Sequence, residues 1–365
     1  MKVNVADRLA ALRTRMQETG IDLVALGPGA HMHWVAGFHP HPDERPCLLL
    51  IGPQREAFLM PSLNAEGARV DTDIAFYPWS DDTGPTAALA AALDAVGASD
   101  AGVVSLDETM RADFALLLLG ALPKARHGFA GETVGALRMK KSEAEYRELK
   151  MNARLDDVAM QTAYAAIRPG ISERDIAATV RAQFAADGAR PMFTIIGSGP
   201  NGAFPHHSVS DRVLQRGDAV VIDIGGSRGD FPSDMTRMAV VGEAPEGYAE
   251  VHAVVEAAVR AALAAARPGV RAKTVDAAAR TVITDAGYGE YFVHRTGHGL
   301  GLEIHEPPYI TSTSETVLEA GMVFSIEPGI YLPGRFGIRL EDIVFLREDG
   351  PEILSDLPRD VRVCG

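Results

Sequence analysis

The chain of 365 residues carries a net charge of −14 and is 47% hydrophobic. That length fits two ordinary domains, and that hydrophobic content supports large buried cores and excludes disorder as the main state. The acidic balance argues against a nucleic-acid partner, which needs a basic face, and two distant cysteines, Cys47 and Cys364, imply neither a disulfide framework nor a cysteine metal site.

The opening stretch MKVNVADRLAALRTRM reads as an amphipathic helix with charges throughout, without the apolar run of a signal peptide. The longest apolar stretches, such as CLLLIG, are too short to span a bilayer. No membrane contact and a reducing, cytoplasmic setting are expected. IDLVALG is strand-like. HMHWVAGFHPHP, residues 31 to 42, holds His31, His33, His39 and His41 but no acid before Asp43. It reads as a loop on the substrate or interface side, ahead of a metal site. RPCLLLIG and EAFLM read as adjacent strands, GPTAALAAALDAV as a helix, AGVVSL as a strand and RADFALLLLGAL as a helix. Residues 1–138 are thus expected to form a small α/β domain around a mostly buried sheet.

A boundary falls near LRMKKSEAEY, and a second domain is expected over 142–365. Ser142 with Glu145 three residues on has the pattern of a capping box, opening a long helix from about Glu143 towards Ile167. Arg168-Pro169-Gly170 breaks it. That RPG recurs at Arg267-Pro268-Gly269, and Ala178, Arg181 and Gly188 recur as Ala277, Arg280 and Gly287 at the same offset of 99. Gly217 precedes Asp223 by six residues through an apolar run, as Gly321 precedes Glu327. Asp223 reads as the end of its strand, with a Gly-rich turn after it. A further acid, Asp234 or Glu341, follows across each hairpin. Two duplicated halves related by a pseudo-twofold would bring these four acids face to face around a curved, largely antiparallel sheet backed by paired helices.

Two like charges 4 Å apart repel by about 4 kcal/mol at an effective dielectric near 20. Four such acids together need cations to stay ionised, and two divalent ions would cancel their formal charge. HRTGHGLGLEIHE, residues 294 to 306, adds His294, His298 and His305, with Gly297 and Gly299 flanking His298 so that backbone can approach closely. His206 lies in the loop FPHHSVSD ahead of the first acid strand, with His207 as its neighbouring contender.

NGAFPHHSVSDRVLQRGDAVVIDIG, DIGGSRGDFPSD, TGHGLGLEIHE, FSIEPGIY and GIRLEDIV, in this order, resemble the metal-dependent aminopeptidase P and prolidase family. The resemblance implies an α+β architecture: the small α/β domain, then a C-terminal domain of the pita-bread fold. It implies metal ligands at Asp223, Asp234, His298, Glu327 and Glu341, with Asp223 binding through both oxygens and Asp234 and Glu341 bridging two ions. Mn²⁺ suits a donor set of mostly oxygens with one imidazole, with Co²⁺, Zn²⁺ or Fe²⁺ as alternatives. Glu327 matches the family's proton shuttle, and His206 and His305 match its substrate-side histidines. His294 is expected to orient the G-H-G loop beside the substrate.

The implied reaction is hydrolysis of Xaa-Pro bonds in a small peptide. Tyr309 and Arg339 flank the presumed site, and Arg339 serves equally well as a partner of a ligand carboxylate. Some prolidases carry a basic residue shortly after the I-H-E histidine; here Pro307, Pro308 and Tyr309 stand there. Arg45 is the cation weighed for a dipeptide's carboxylate, against simple pairing with Asp43 or Glu44. Dipeptides are the expected substrates, with aminopeptidase P activity on longer peptides and a non-catalytic peptide- or protein-binding module as alternatives. Creatinase lacks these ligands, and methionine aminopeptidases usually lack so large an N-terminal domain. A homodimer is also implied.

Overall fold

In the computed structural model, which describes residues 4–365, the chain divides after Arg138 into two units. In the first, Asn4 caps helix α1 (Val5–Thr19) by accepting from the Asp7 amide, and Gly20 closes it in the left-handed region. Strands β1 (Leu23–Leu26) and β2 (Leu48–Ile51) are buried along their whole length. They therefore read as unbroken apolar runs rather than alternating ones. With β3 (Glu56–Pro61), β4 (Ala75–Trp79), β5 (Val103–Leu106) and β6 (Arg126–Phe129) they make a six-stranded sheet in the order β4-β3-β2-β1-β5-β6. The β1–β2 and β2–β3 pairs are antiparallel and the others parallel. Five further helices complete the unit: α2 (Ala30–Ala36), α3 (Ser62–Ala68), α4 (Thr86–Ala95), α5 (Ala112–Ala121) and α6 (Val134–Arg138).

The histidine-rich segment departs from expectation. Its first part is helix α2, not loop, and Gly37 ends it at φ 80°. His31 is buried, with Nδ1 3.0 Å from Arg138 Nη1 and Nε2 3.3 Å from Glu108 Oε2. The acids near His31 thus come from the end of β5, some 75 residues along the chain, where Asp107 and Glu108 sit within ligand distance of it. Proximity in sequence to Asp43 says nothing about them.

The second unit, Met139–Gly365, starts with the capping box: the Ser142 amide donates to Glu145 Oε2 at 2.7 Å, and the Glu145 amide to Ser142 Oγ at 3.3 Å. Helices α7 (Glu143–Ala166) and α8 (Glu173–Ala186) pack on β7 (Arg190–Ser198), β8 (Ala219–Ser227) and β9 (Met235–Val241) around one apolar core. Helices α9 (Tyr248–Ala265) and α10 (Ala272–Asp285) pack around a second. That half continues through β10 (Gly297–Gly299), β11 (Glu306–Ile310), β12 (Val323–Ile326), β13 (Gly329–Leu332), β14 (Phe336–Arg339), β15 (Asp342–Arg347), β16 (Gly350–Ile353) and β17 (Arg362–Cys364). The strands form a four-stranded sheet β17-β9-β8-β7, a five-stranded sheet β11-β10-β12-β15-β16 and the hairpin β13-β14. Every pairing is antiparallel except β17 with β9.

The repeat is visible in the backbone. Gly170 and Gly269 hold φ +88° and +87°, and their amides donate to Leu214 O and Leu318 O at 2.9 and 2.8 Å. Gly217 and Gly321 hold φ +89° and +90°, and their amides donate to Val241 O and Leu346 O, both at 2.8 Å. Only glycine takes such angles without strain.

One expectation needs correction. Asp223 does not end its strand, because β8 runs on to Ser227 and keeps its pairing with β7 through the glycines. Gly225 and Gly226 are close-packing residues rather than turn residues. A Cβ on Gly225 would lie 2.3 Å from Ser233 O and 2.4 Å from the Phe193 ring, and one on Gly226 would lie 2.5 Å from the Phe184 ring.

Candidate active site

A carboxylate in the middle of a buried strand is unfavourable unless something compensates its charge. Asp223 sits opposite Thr236 on β9 and Ile195 on β7, and Asp234 immediately precedes β9. Glu327 follows β12, held by donation of its amide to Thr296 O at 2.8 Å, and the Glu341 amide donates to Thr236 O at 3.2 Å just before β15. His298 lies in β10 between two glycines that neighbouring strands crowd. A Cβ at Gly297 would meet Ser325 O at 1.9 Å, and one at Gly299 would meet Pro307 O at 2.3 Å. His298 Nδ1 rests 3.1 Å from Gly299 O, so Nε2 faces the acids, 3.2 Å from Glu327 Oε1 and 3.7 Å from Asp234 Oδ2. Nε2 is thus placed either to donate a ring proton to a carboxylate or to meet a cation that the carboxylates share.

These side chains form two donor groups, Asp223 with Asp234 and Glu341, and His298 with Glu327 and Glu341, each with ligand atoms within 4.8 Å of one another. Glu341 belongs to both. His305 also lies within that distance of Asp234 and His298. Asp223 Oδ1 and Glu341 Oε1 are buried without a hydrogen-bond partner, although buried polar atoms are nearly always paired. Burial, reinforced by the neighbouring carboxylates, pushes Asp234 and Glu341 well above the usual carboxylate range. Burial also raises Asp223, against the opposing charge of Arg339. Burial would raise Glu327 too, but the hydrogen bond and charge of His298 hold it down at about 2. Orphaned oxygens, mutual repulsion and a donor set of hard oxygens with one imidazole all fit divalent cations.

The five residues border a cavity of about 640 Å³. Phe193, Ile195, Pro205 and Ile304 supply apolar wall, and His206, His294 and His305 supply imidazoles. His207 does not face the cavity; its Nε2 lies 2.8 Å from Glu173 Oε2.

The model of metallopeptidase family M24 matches residues 147–348, and that of the creatinase/prolidase N-terminal domain matches residues 8–140. The chain belongs to metallopeptidase family M24. It is 40% identical to the probable dipeptidase PepE of Mycobacterium tuberculosis over 98% of this chain and 96% of that protein. It is 32% identical to the Xaa-Pro dipeptidase of Pyrococcus horikoshii, covering 95% and 96%. The crystal structure of dipeptidase PepE from Mycobacterium ulcerans superposes with a TM-score of 0.92 at 38% identity, covering 98% of this chain and 97% of that one. The second unit is thus the pita-bread domain of an M24 metallopeptidase, a family that uses divalent metals.

In this M24 chain the remaining candidates fall in different places. Arg339 is buried, and its guanidinium is fully engaged by Asp223 Oδ2 (2.5 Å), Tyr331 Oη (2.6 Å), Thr236 Oγ1 (3.0 Å) and Pro205 O (3.4 Å). It is a partner of a donor carboxylate. His294 is linked to it through Tyr331. The phenol accepts from Arg339 and lies 2.8 Å from His294 Nε2, while His294 Nδ1 lies 2.7 Å from Arg295 O. Burial lowers His294. Burial, with the charges of His298 and Arg295, lowers His305 to about 4; its ring meets His298 edge-on at 4.2 Å. Tyr309 is exposed on β11 and is not part of the cavity wall; the Arg295 guanidinium lies over its ring at 4.7 Å. Arg45, in the first unit, is engaged by Asp81 and Glu44 at 3.0 Å each, and its amide donates to Asp43 Oδ1. The Glu44 contact is the one weighed against a substrate role, and the two-pronged pairing with Asp81 lies outside that expectation.

The sequence does not announce Glu173, Tyr331 or Arg295. Glu173 is fully buried at the start of α8 and accepts from the Ser198 and Ser210 amides and hydroxyls and from Asn201. Burial alone would raise it, but these bonds and His207 hold it down at about 2. It thereby braces the loop that carries His206. The signal available was ISERD, whose Ser172 and Asp175 make a second capping box and so place Glu173 on the first turn.

Proposed function

We propose that this chain is an Xaa-Pro dipeptidase that hydrolyses the bond between an N-terminal residue and proline. The observation that carries the reading is the meeting of Asp223, Asp234, His298, Glu327 and Glu341, two of their oxygens buried and unpartnered, at a cavity with both apolar and imidazole walls. The dipeptidase names of the relatives point the same way. When bound, two divalent ions supply the charge that the carboxylates lack and activate the hydrolytic water. Asp223, Asp234 and Glu341 would hold one, and His298 and Glu327, with Asp234 and Glu341 again, the other. Mn²⁺ is the ion that best suits this donor set, with Co²⁺, Zn²⁺ or Fe²⁺ set by supply.

The chain's own groups do the rest. Ser325 donates to Glu327 Oε1 and orients the carboxylate, which would take the water's proton and return it to the leaving nitrogen. His206 and His305 sit on the cavity wall where they hold the scissile carbonyl and its developing negative charge. A proline nitrogen offers no N–H, so recognition of the ring rests on contact with the apolar wall. The decisive assay is metal-reconstituted protein on Ala-Pro, Ala-Pro-Ala and Met-Ala. Hydrolysis of Ala-Pro that a chelator abolishes and Mn²⁺ restores is expected. Faster cleavage of the tripeptide converts the reading to aminopeptidase P, and no turnover with any metal leaves a binding module.

We also infer a cytoplasmic homodimer that acts on small peptides rather than on nucleic acid or membranes. Both cysteines are unpaired thiols, the charge is −14, and among the described residues no helix is long and apolar enough to cross a membrane. Light scattering at micromolar concentration checks the assembly, and a monomer mass overturns it.

A further inference from the structure

Two guanidinium groups face the cavity. That of Arg339 is committed to Asp223, Tyr331, Thr236 and Pro205. That of Arg295 is not: among the described residues no carboxylate lies within ion-pair distance of it, and its contact is with the face of Tyr309. The backbone around it is tied down on both sides. Arg295 O lies 2.7 Å from His294 Nδ1, and Thr296 is bound through Oγ1 to the buried Asp276 at 2.8 Å. The result is a preset cation, half-buried in the wall of a cavity and awaiting an anion. A ring stacked on one guanidinium face leaves the N–H edge open for two parallel bonds to a carboxylate.

We propose that Arg295 binds the free carboxylate of the substrate's proline and so makes dipeptides the preferred class; the assignment rests on the Xaa-Pro reading above. In a dipeptide the carboxylate is the only fixed negative charge, and it lies one residue from the scissile carbonyl. Arg295 shares the cavity wall with the carbonyl-side histidine, His305. The segment after His305 reads Glu306, Pro307, Pro308, Tyr309 and offers no cation. Arg295 reaches the same place from the segment leading into β10, and Tyr309 serves as its platform. A peptide extended beyond proline puts a neutral amide where the carboxylate would be and loses the charge-assisted pair.

The test compares Ala-Pro with its C-terminal amide, Ala-Pro-NH₂, within each protein, so that any loss of folded enzyme cancels. Metal-loaded parent chain should favour the free acid by about 30-fold in kcat/KM, the scale of a hydrogen bond to a charged group. In R295M the ratio should fall to within about threefold of unity, mainly through KM, and R295K should recover part of it. Inhibition by proline relative to prolinamide should follow the same ratio. An acid-to-amide ratio that R295M leaves intact overturns the Arg295 assignment alone. Failure of the parent chain to cleave either compound overturns the Xaa-Pro reading and the assignment with it.

Discussion

The two halves of the second unit share a backbone plan and differ in how they bring chemistry to it. In the first half Asp223 and Asp234 lie on one uninterrupted hairpin, β8 with β9. In the second, Glu327 and Glu341 stand on either side of an extra hairpin, β13 with β14, whose Tyr331 and Arg339 fold back onto the site. Each half also buries one bracing carboxylate in the helix that leads into its histidine segment. Glu173 ties down the loop of His206, while Asp276 ties down Thr296 between His294 and His298. The halves therefore divide the work: the first supplies a rigid pair of acids and His206, and the second supplies the other two acids, the donor imidazole, the committed arginine and the open one.

Removing single donors breaks the comparison most severely. Glu341 belongs to both donor groups and Asp223 to one. Glu341→Ala should lower kcat/KM by about 10³-fold or more and leave less than one ion per chain after dialysis. Asp223→Ala should be comparably inactive yet keep about one, as elemental analysis would show. Equal metal loss in the two variants would refute the shared role of Glu341.

The braces come next. Glu173→Ala strands the Ser198 and Ser210 amides in the interior and should cost about 3 kcal/mol in urea unfolding. Asp276→Ala should cost about 2 kcal/mol, because its partner Arg280 is partly exposed and regains water. Acid sharpens the same contrast. Glu173 is held at about 2 against an ordinary value of 4.5. Its fold-favoured charge therefore contributes full stability above about pH 4.5, and that contribution is lost as pH falls towards 2. The stability difference between the parent chain and Glu173→Gln should shrink across that window, and a difference independent of pH would sink the assignment. The smallest effect is expected at the matched glycines. Gly217→Ala and Gly321→Ala each force a side chain onto a φ near +90° and should cost about 1 kcal/mol apiece, equal within error.

Much of this site was legible because its residues recur at fixed spacings. The recurring RPG and the six-residue interval from glycine to acid pointed to Asp223 and Glu327 as equivalents, and the helix starting at Ser142 carried its own cap. What escaped had physical reasons. Strands β4 and β6 lie at the sheet edges with exposed positions, so they lack the apolar run that exposed their neighbours. The Asp223 strand seemed to stop because DIGG resembles a turn, yet those glycines make room for Ser233 and two phenylalanine rings. His31 acquires its acids from a strand that only the fold brings near. Arg295 stands singly among histidines and glycines, and no periodicity distinguishes an arginine with an acid partner from one without.

The latches at Gly170, Gly217, Gly269 and Gly321 join amide to carbonyl and engage no side chain. Substitutions around them can accumulate freely provided those few positions stay without a Cβ. Such a framework tolerates long divergence between its copies, so a common origin would survive in bond geometry well after it had faded from the letters of the chain.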